Sequence, residues 1–166
     1  MGYRWNLSKC DIFDNQLQTI EYAIYGQVLP QATTFTYLGI SFKPDDHLDL
    51  VKLVQSNTFK AMSTMNVLSS IGVSSSRFSK LLCSRFYAQI VRPQMEYDMT
   101  INCFNHTLLK SLEETQDKYI RQIYGVPGKT PTKVMFHLTK LPIMKERVAI
   151  QQAQFLFRLL TLLSSC

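Results

Sequence analysis

Charge is sparse in this chain of 166 residues: Asp, Glu, Lys and Arg make up only 18% of it, and no dense run of lysine and arginine concentrates the basic excess. With 46% hydrophobic residues, it is not a disordered, solvating segment, because disorder goes with few apolar groups and much charge. Cysteine is scattered. Cys10, Cys83, Cys103 and Cys166 form no C-x-x-C pair and have no histidine pair beside them, which suggests neither a zinc site nor a disulfide framework. His47, His106 and His137 stand in different segments with no Glu or Cys at ligand spacing, so metal binding is not expected. The serines at 74–76 lack a G-x-S-x-G elbow, and there is neither a phosphate-cradling loop nor a dinucleotide fingerprint. Long apolar runs are missing too. The most apolar segment, 155–163, is interrupted by Arg158 and is far short of the ~20 residues that cross a bilayer. The first residues lack the apolar run of a secretory signal. An intracellular, reducing setting, cytoplasmic or nuclear and away from membranes, is the expectation.

The length suits one ordinary domain able to bury a real core. A net charge of +6 makes nucleic acid or an acidic partner a natural candidate, although many proteins are this basic with ordinary solvated surfaces. The first quarter reads as strands: 9–13, then 22–29 alternating around Gly26, then 34–42 rich in β-branched and aromatic residues. Pro30 closes the second, and 31–33 supplies a turn. Connections this short imply a small antiparallel sheet, which needs something packed on its apolar face.

After Pro44 the hydrophobic period becomes helical. Asp45 or Asp46 caps a long helix with a stripe of Leu48, Val51, Val54, Thr58, Met62, Met65 and Leu68, ending at Gly72. The 74–76 serines offer caps for a second helix with Phe78, Leu81, Leu82, Phe86, Ile90 and Val91 on its apolar face, bent or broken by Pro93. A third runs from about Thr107 to Tyr124, capped by Asn105 or Thr107 and stopped by Gly125. Thr130 and Pro131 start a short fourth helix. A fifth begins near Pro142 and is still apolar at Leu163, as if cut short or reserved for a missing neighbour. The expected fold is α+β, predominantly α, with strands in 1–44 and about five helices in 45–166, together one compact unit.

Four motifs occur in order: V-R-P-Q-M-E-Y at 91–97, L-E-E-T-Q at 112–116, Y-G-V-P-G-K-T-P at 124–131 and L-P at 141–142. With those gaps they resemble the segment that follows the reverse transcriptase domain in LINE-like, non-LTR retrotransposons. The resemblance extends upstream to W-N-L-S-K-C at 5–10 and Y-L-G-I-S-F at 37–42, and so covers most of the chain. It implies that 1–44 is the end of a palm with a primer-grip-like hairpin and 45–166 a helical thumb with its extension, a fragment of a larger polymerase. Lys9 is similar to the lysine that protonates the pyrophosphate leaving group in that family, here vestigial and otherwise an ordinary solvated lysine. The Asp45–Asp46 pair only superficially resembles the carboxylates that hold polymerase metals. It has one residue too many after Phe42, follows Pro44, precedes a helix, and falls after Y-L-G where the family's pair falls before W-N-x-x-K-C. The resemblance therefore implies no intact catalytic residue, no metal site and no cofactor in this chain, although the parent polymerases use magnesium.

Nucleic-acid contacts implied by the resemblance are Tyr37 and Gly39 in the primer-grip-like hairpin, where glycine lets a sugar–phosphate chain approach and the ring can stack. An ordinary half-buried strand is equally consistent with those two residues. The helical part would clamp a template–primer duplex, RNA or DNA, through Arg77, Lys80, Arg85, Arg92, Lys118, Arg121, Lys129 and Lys133, any of which also suits a solvated face. Glu96 and Glu113 make no catalytic dyad; an internal salt bridge of Glu96 with Arg92 is the better assignment. The expected function is a non-polymerising relic or fragment of a retrotransposon reverse transcriptase that binds template–primer nucleic acid. The alternative is a non-catalytic helical protein–protein interaction module of retroelement origin, whose partner is another protein or the missing polymerase segment.

Overall fold

The computed structural model describes residues 3–13, 21–43, 48–74 and 76–164. Asp45, Asp46, His47, Ser75 and Cys166 lie outside the described residues, and with them the capping roles expected of the two acids. The chain clusters into two compact units, Met1–Leu53 and Val54–Cys166. The fold is α+β and predominantly α, with two small antiparallel sheets near the N-terminus.

In the first unit the segment 9–13 is not a strand. A short 3₁₀ turn, Leu7–Lys9, forms instead, because the Asn6 side chain accepts from the Ser8 N–H at 3.2 Å, the local competition that asparagine offers a ladder. Only Ile12 pairs, as an isolated bridge with Gln31. The two longer runs are hairpins rather than single strands. Ala23–Ile24 (β1) pairs with Gln27–Val28 (β2) around Tyr25–Gly26, and Phe35–Tyr37 (β3) pairs with Ile40–Phe42 (β4) around Leu38–Gly39. Both central residues of each turn have positive φ, 53° and 78° in the first and 50° and 84° in the second. That is the twist a two-residue hairpin demands. Phe35 is the aromatic centre of β3–β4, with Phe13 at 6.1 Å and Phe42 at 6.2 Å between ring centroids.

Helix α1, Leu50–Ser70, starts at Asp49, whose carboxylate accepts from the Lys52 N–H at 3.1 Å. It stops at Gly72, where φ is 98° and the Val73 and Gly72 N–H groups return to the Leu68 and Ser69 carbonyls at 2.9 and 3.1 Å. This glycine-terminated pair of bonds satisfies carbonyls the helix leaves open. Ser79, not the earlier serines, caps α2 (Lys80–Phe86) by accepting from the Leu82 N–H at 3.2 Å. Pro93 neither ends the rod nor leaves its bonding unchanged. A π turn over Tyr87–Val91, with the Arg92 N–H reaching back to Tyr87, carries α2 into α3 (Arg92–Met95), and i→i+5 bonding is one way a helix absorbs a local misfit.

Helix α4, His106–Tyr124, is capped as expected: Asn105 accepts from the Leu108 N–H at 2.9 Å, and Gly125 is left-handed. Helix α5, Lys133–Thr139, starts at Thr132 rather than Thr130. The Thr132 hydroxyl donates to Asp117 at 2.8 Å, and the Thr130 carbonyl accepts from Arg121 at 2.9 Å. Helix α6 spans Met144–Ser164. Counting α2 through α3 as one rod, the described residues form five helices.

Their shared core holds Val54, Ala61 and Met65 from α1, Tyr87, Val91 and Met95 from the second rod, Leu112, Ile120 and Ile123 from α4, and Met144 and Val148 from α6. The α1 stripe is turned from the expected one. Asn57 and Ala61 are buried while Met62 is exposed, because the Asn57 amide donates to the Tyr97 carbonyl at 2.8 Å. Glu96 is buried as well, and two cations meet it: Arg92 at 3.1 Å, and Arg147, which donates through Nε at 2.8 Å and Nη2 at 3.2 Å. Gln151 adds a 2.7 Å bond.

Replacing Glu96 by Ala strands two partly buried guanidiniums, and a urea titration should show a loss of about 3 kcal/mol. Lys43→Ala, which removes an exposed 3.7 Å pair with Asp49, should change stability by less than ~0.5 kcal/mol. Burial also pushes the Tyr119 phenol from its ordinary 10.0 up to about 12, and that of Tyr87 in the same direction. The fold thus favours the neutral phenol, and the stability this brings is complete below the unfolded value and lost as pH rises through the folded one. Unfolding midpoints should hold up to about pH 10 and then fall towards pH 12. Tyr119→Phe should flatten part of that fall.

Candidate nucleic-acid interface

The first unit carries three of the expected site residues. Lys9 closes the 3₁₀ turn, its N–H donating to the Asn6 carbonyl at 3.0 Å. Tyr37 ends β3, is 59% exposed, and lies stacked against Phe35 with ring planes 15° apart. Gly39 is the second residue of the hairpin turn, and open space surrounds the position a side chain would take. The hairpin thus presents a ring and an uncovered stretch of backbone side by side. Among the described residues no three His, Cys, Asp or Glu side chains converge.

In the helical unit the eight basic candidates divide by what already holds them. Arg92 is taken by Glu96, its side chain only 15% exposed. Arg121 is taken by Asp117 at 3.3 Å and by the Thr130 carbonyl. Lys133 lines the same shallow recess as Glu113 and Asp117. Lys118 lines an open groove with Phe59 and Met62 of α1. Arg85 is exposed along α2.

Arg77, Lys80 and Lys129 are exposed at one end of the unit, and specific contacts bring them there. Lys80 holds its ammonium 5.2 Å from the centre of the Tyr124 ring, which sets the start of α2 against the last residue of α4. A hydrogen bond from Gln122 to the Ser69 hydroxyl at 2.9 Å brings the end of α1 to the same place. Arg77 lies in the loop between α1 and α2, against Gly72. Lys129 sits in the turn after α4, closed by the Thr130 N–H on the Pro127 carbonyl at 3.0 Å. Burial raises the Tyr124 phenol above its ordinary value, so the ring under Lys80 stays neutral. A cation over a neutral aromatic face is attracted by the ring's quadrupole. Tyr124 went unrecognised in the sequence as part of this arrangement, since it reads there as the start of the Y-G-V-P-G-K-T-P motif and the residue before a helix-ending glycine. No protein-family model matches the chain, and neither a curated protein nor a solved structure matches it.

Internal and free cations should separate in a stability measurement. Arg121→Ala loses a bond to a backbone carbonyl and an ion pair and should cost about 1–3 kcal/mol. Lys129→Ala should stay within about 0.5 kcal/mol of the parent. Denaturant midpoints of the two variants decide it.

Proposed function

We propose that this chain is part of a LINE-like, non-LTR reverse transcriptase, the end of its palm with the thumb and extension, and that it binds template–primer nucleic acid without polymerising by itself. The observation that carries the binding half is that Arg77, Lys80 and Lys129 are all exposed near the end of α4, Lys80 over the Tyr124 ring and Arg77 over Gly72. Three cations on one exposed end suit a sugar–phosphate backbone, which binds by charge and counterion release rather than by deep pockets. The ancestry half is supported by the four ordered motifs, whose residues pack as one framework. Gln116 of the second donates to Pro142 of the fourth at 3.1 Å, while Glu96 and Arg92 of the first pair with each other.

A second reading, a protein-interaction module, is favoured by one observation. The last turns of α6 expose Leu156, Phe157, Leu160, Leu162 and Leu163, more contiguous apolar surface than a solvated helix carries.

One series of measurements tests both. An RNA/DNA hybrid should bind at low salt with a log–log slope of about −0.9 per phosphate neutralised, and Arg77→Ala, Lys80→Ala and Lys129→Ala together should lower that slope by about 2–3 units. Absence of binding at low salt would remove the first reading. A mass by light scattering that grows with protein concentration would then favour the second.

A further inference from the structure

Between the end of α1, the second half of α2 with the π turn after it, and the last turns of α4 lies a slot of about 240 Å³. Its floor is the deepest part of the core: Met65, Cys83, Tyr87 and Ile123 are each under 5% exposed. Phe86 and Val73 form its sides, and Val73 is held there by the bond that its N–H returns to Leu68 past the Gly72 turn. Only the mouth is polar. Ser69 and Gln122 bridge α1 to α4 across it, and Ser74 stands at the loop edge.

Size and lining together decide what such a space holds. One water takes about 30 Å³ of liquid and needs two to four polar partners. Several waters on this floor would find almost none, whereas an apolar cavity of about 150 Å³ already takes a benzene ring. Interiors are otherwise packed like organic crystals, so dispersion contacts missing along the slot are available to any ligand that fills it. At the mouth, Ser69 accepts from Gln122 and still has its own hydroxyl proton to donate, and the Gln122 amide carries an acceptor oxygen.

We propose that this slot is a binding site for a small, flat, largely apolar ring compound of roughly ten non-hydrogen atoms with one polar edge, the ring lying on Met65, Tyr87 and Ile123 and the polar edge meeting Ser69 and Gln122. The site is separate from the phosphate-binding reading and stands or falls without it. Cys83 in the floor is its built-in reporter, since a ligand in the slot covers the thiol.

Indole is the probe, used with the full chain. It should raise the midpoint of thermal unfolding by several degrees in a saturable way. In a Cys10→Ser, Cys103→Ser, Cys166→Ser background, a small apolar thiol reagent should modify Cys83 about tenfold more slowly when indole is present at ten times its dissociation constant. Val73→Phe, which fills the slot from its side, should keep the helical circular-dichroism spectrum and lose the response to indole. An unfolding midpoint that indole does not move up to its solubility limit, an unchanged rate at Cys83, or an undiminished response in folded Val73→Phe would each overturn the proposal.

Discussion

A buried carboxylate organises the helical unit. Glu96 is 7% exposed, and an ionised carboxylate taken that far out of water is tolerated only when donors replace its hydration. Arg147 and Gln151 supply them from successive turns of α6, and Arg92 adds a cation 3.1 Å away from one turn earlier. The two-pronged grip of Arg147 fixes orientation as well as distance. With α6 held this way, Met144 and Val148 reach the core, and Gln152 of the same helix donates to the Asn102 carbonyl at 2.7 Å. From Leu156 to Ser164 the residues are exposed. The buried part of the apolar pattern on α6 is therefore the part that Glu96 reaches.

Local chemistry made much of the helical unit legible. Asn105 and Gly125 bracket α4, and Gly72 ends α1, because capping needs only residues a few positions apart. The hairpins were less legible. Tyr25–Gly26 and Leu38–Gly39 lack the Asn-Gly or Asp-Gly signature of tight hairpins, and apolar alternation continues on both sides of each turn, so two arms read as one strand. What could not be read at all is polar burial between distant positions. Arg147 is 51 residues from Glu96 and Asn57 is 40 from Tyr97. Hydrophobic period alone therefore put Thr58 and Met62 where Asn57 and Ala61 belong.

The motifs acquire a physical meaning from the same contacts. Pro93 removes a donor inside a helix, and the π turn before it shifts the bonding register while Tyr87, Val91 and Met95 all remain buried. Glu96 follows one turn later. Leu112 and Gln116, at the ends of the second motif, are both fully buried, one by packing and the other by its bond to Pro142. The candidate site shares little of this. Of its residues, Arg92 and Arg121 belong to the framework and carry no free charge outward.

That division limits what a net charge of +6 can mean here. Formal charge counts a guanidinium locked on a buried carboxylate and a lysine on an open surface alike, but only the second attracts phosphate through water. Arg92 and Arg147 act on Glu96, and Arg121 acts on Asp117. The field outside the molecule must come from Arg77, Lys80, Arg85, Lys118, Lys129 and their exposed neighbours. Three of these meet where α1, α2 and α4 converge, because Tyr124 and the Ser69–Gln122 bond draw the helix ends together. The same convergence encloses the apolar slot beneath. Packing therefore decides where the charge is available, and one arrangement of helix ends produces both a basic rim and an apolar cavity.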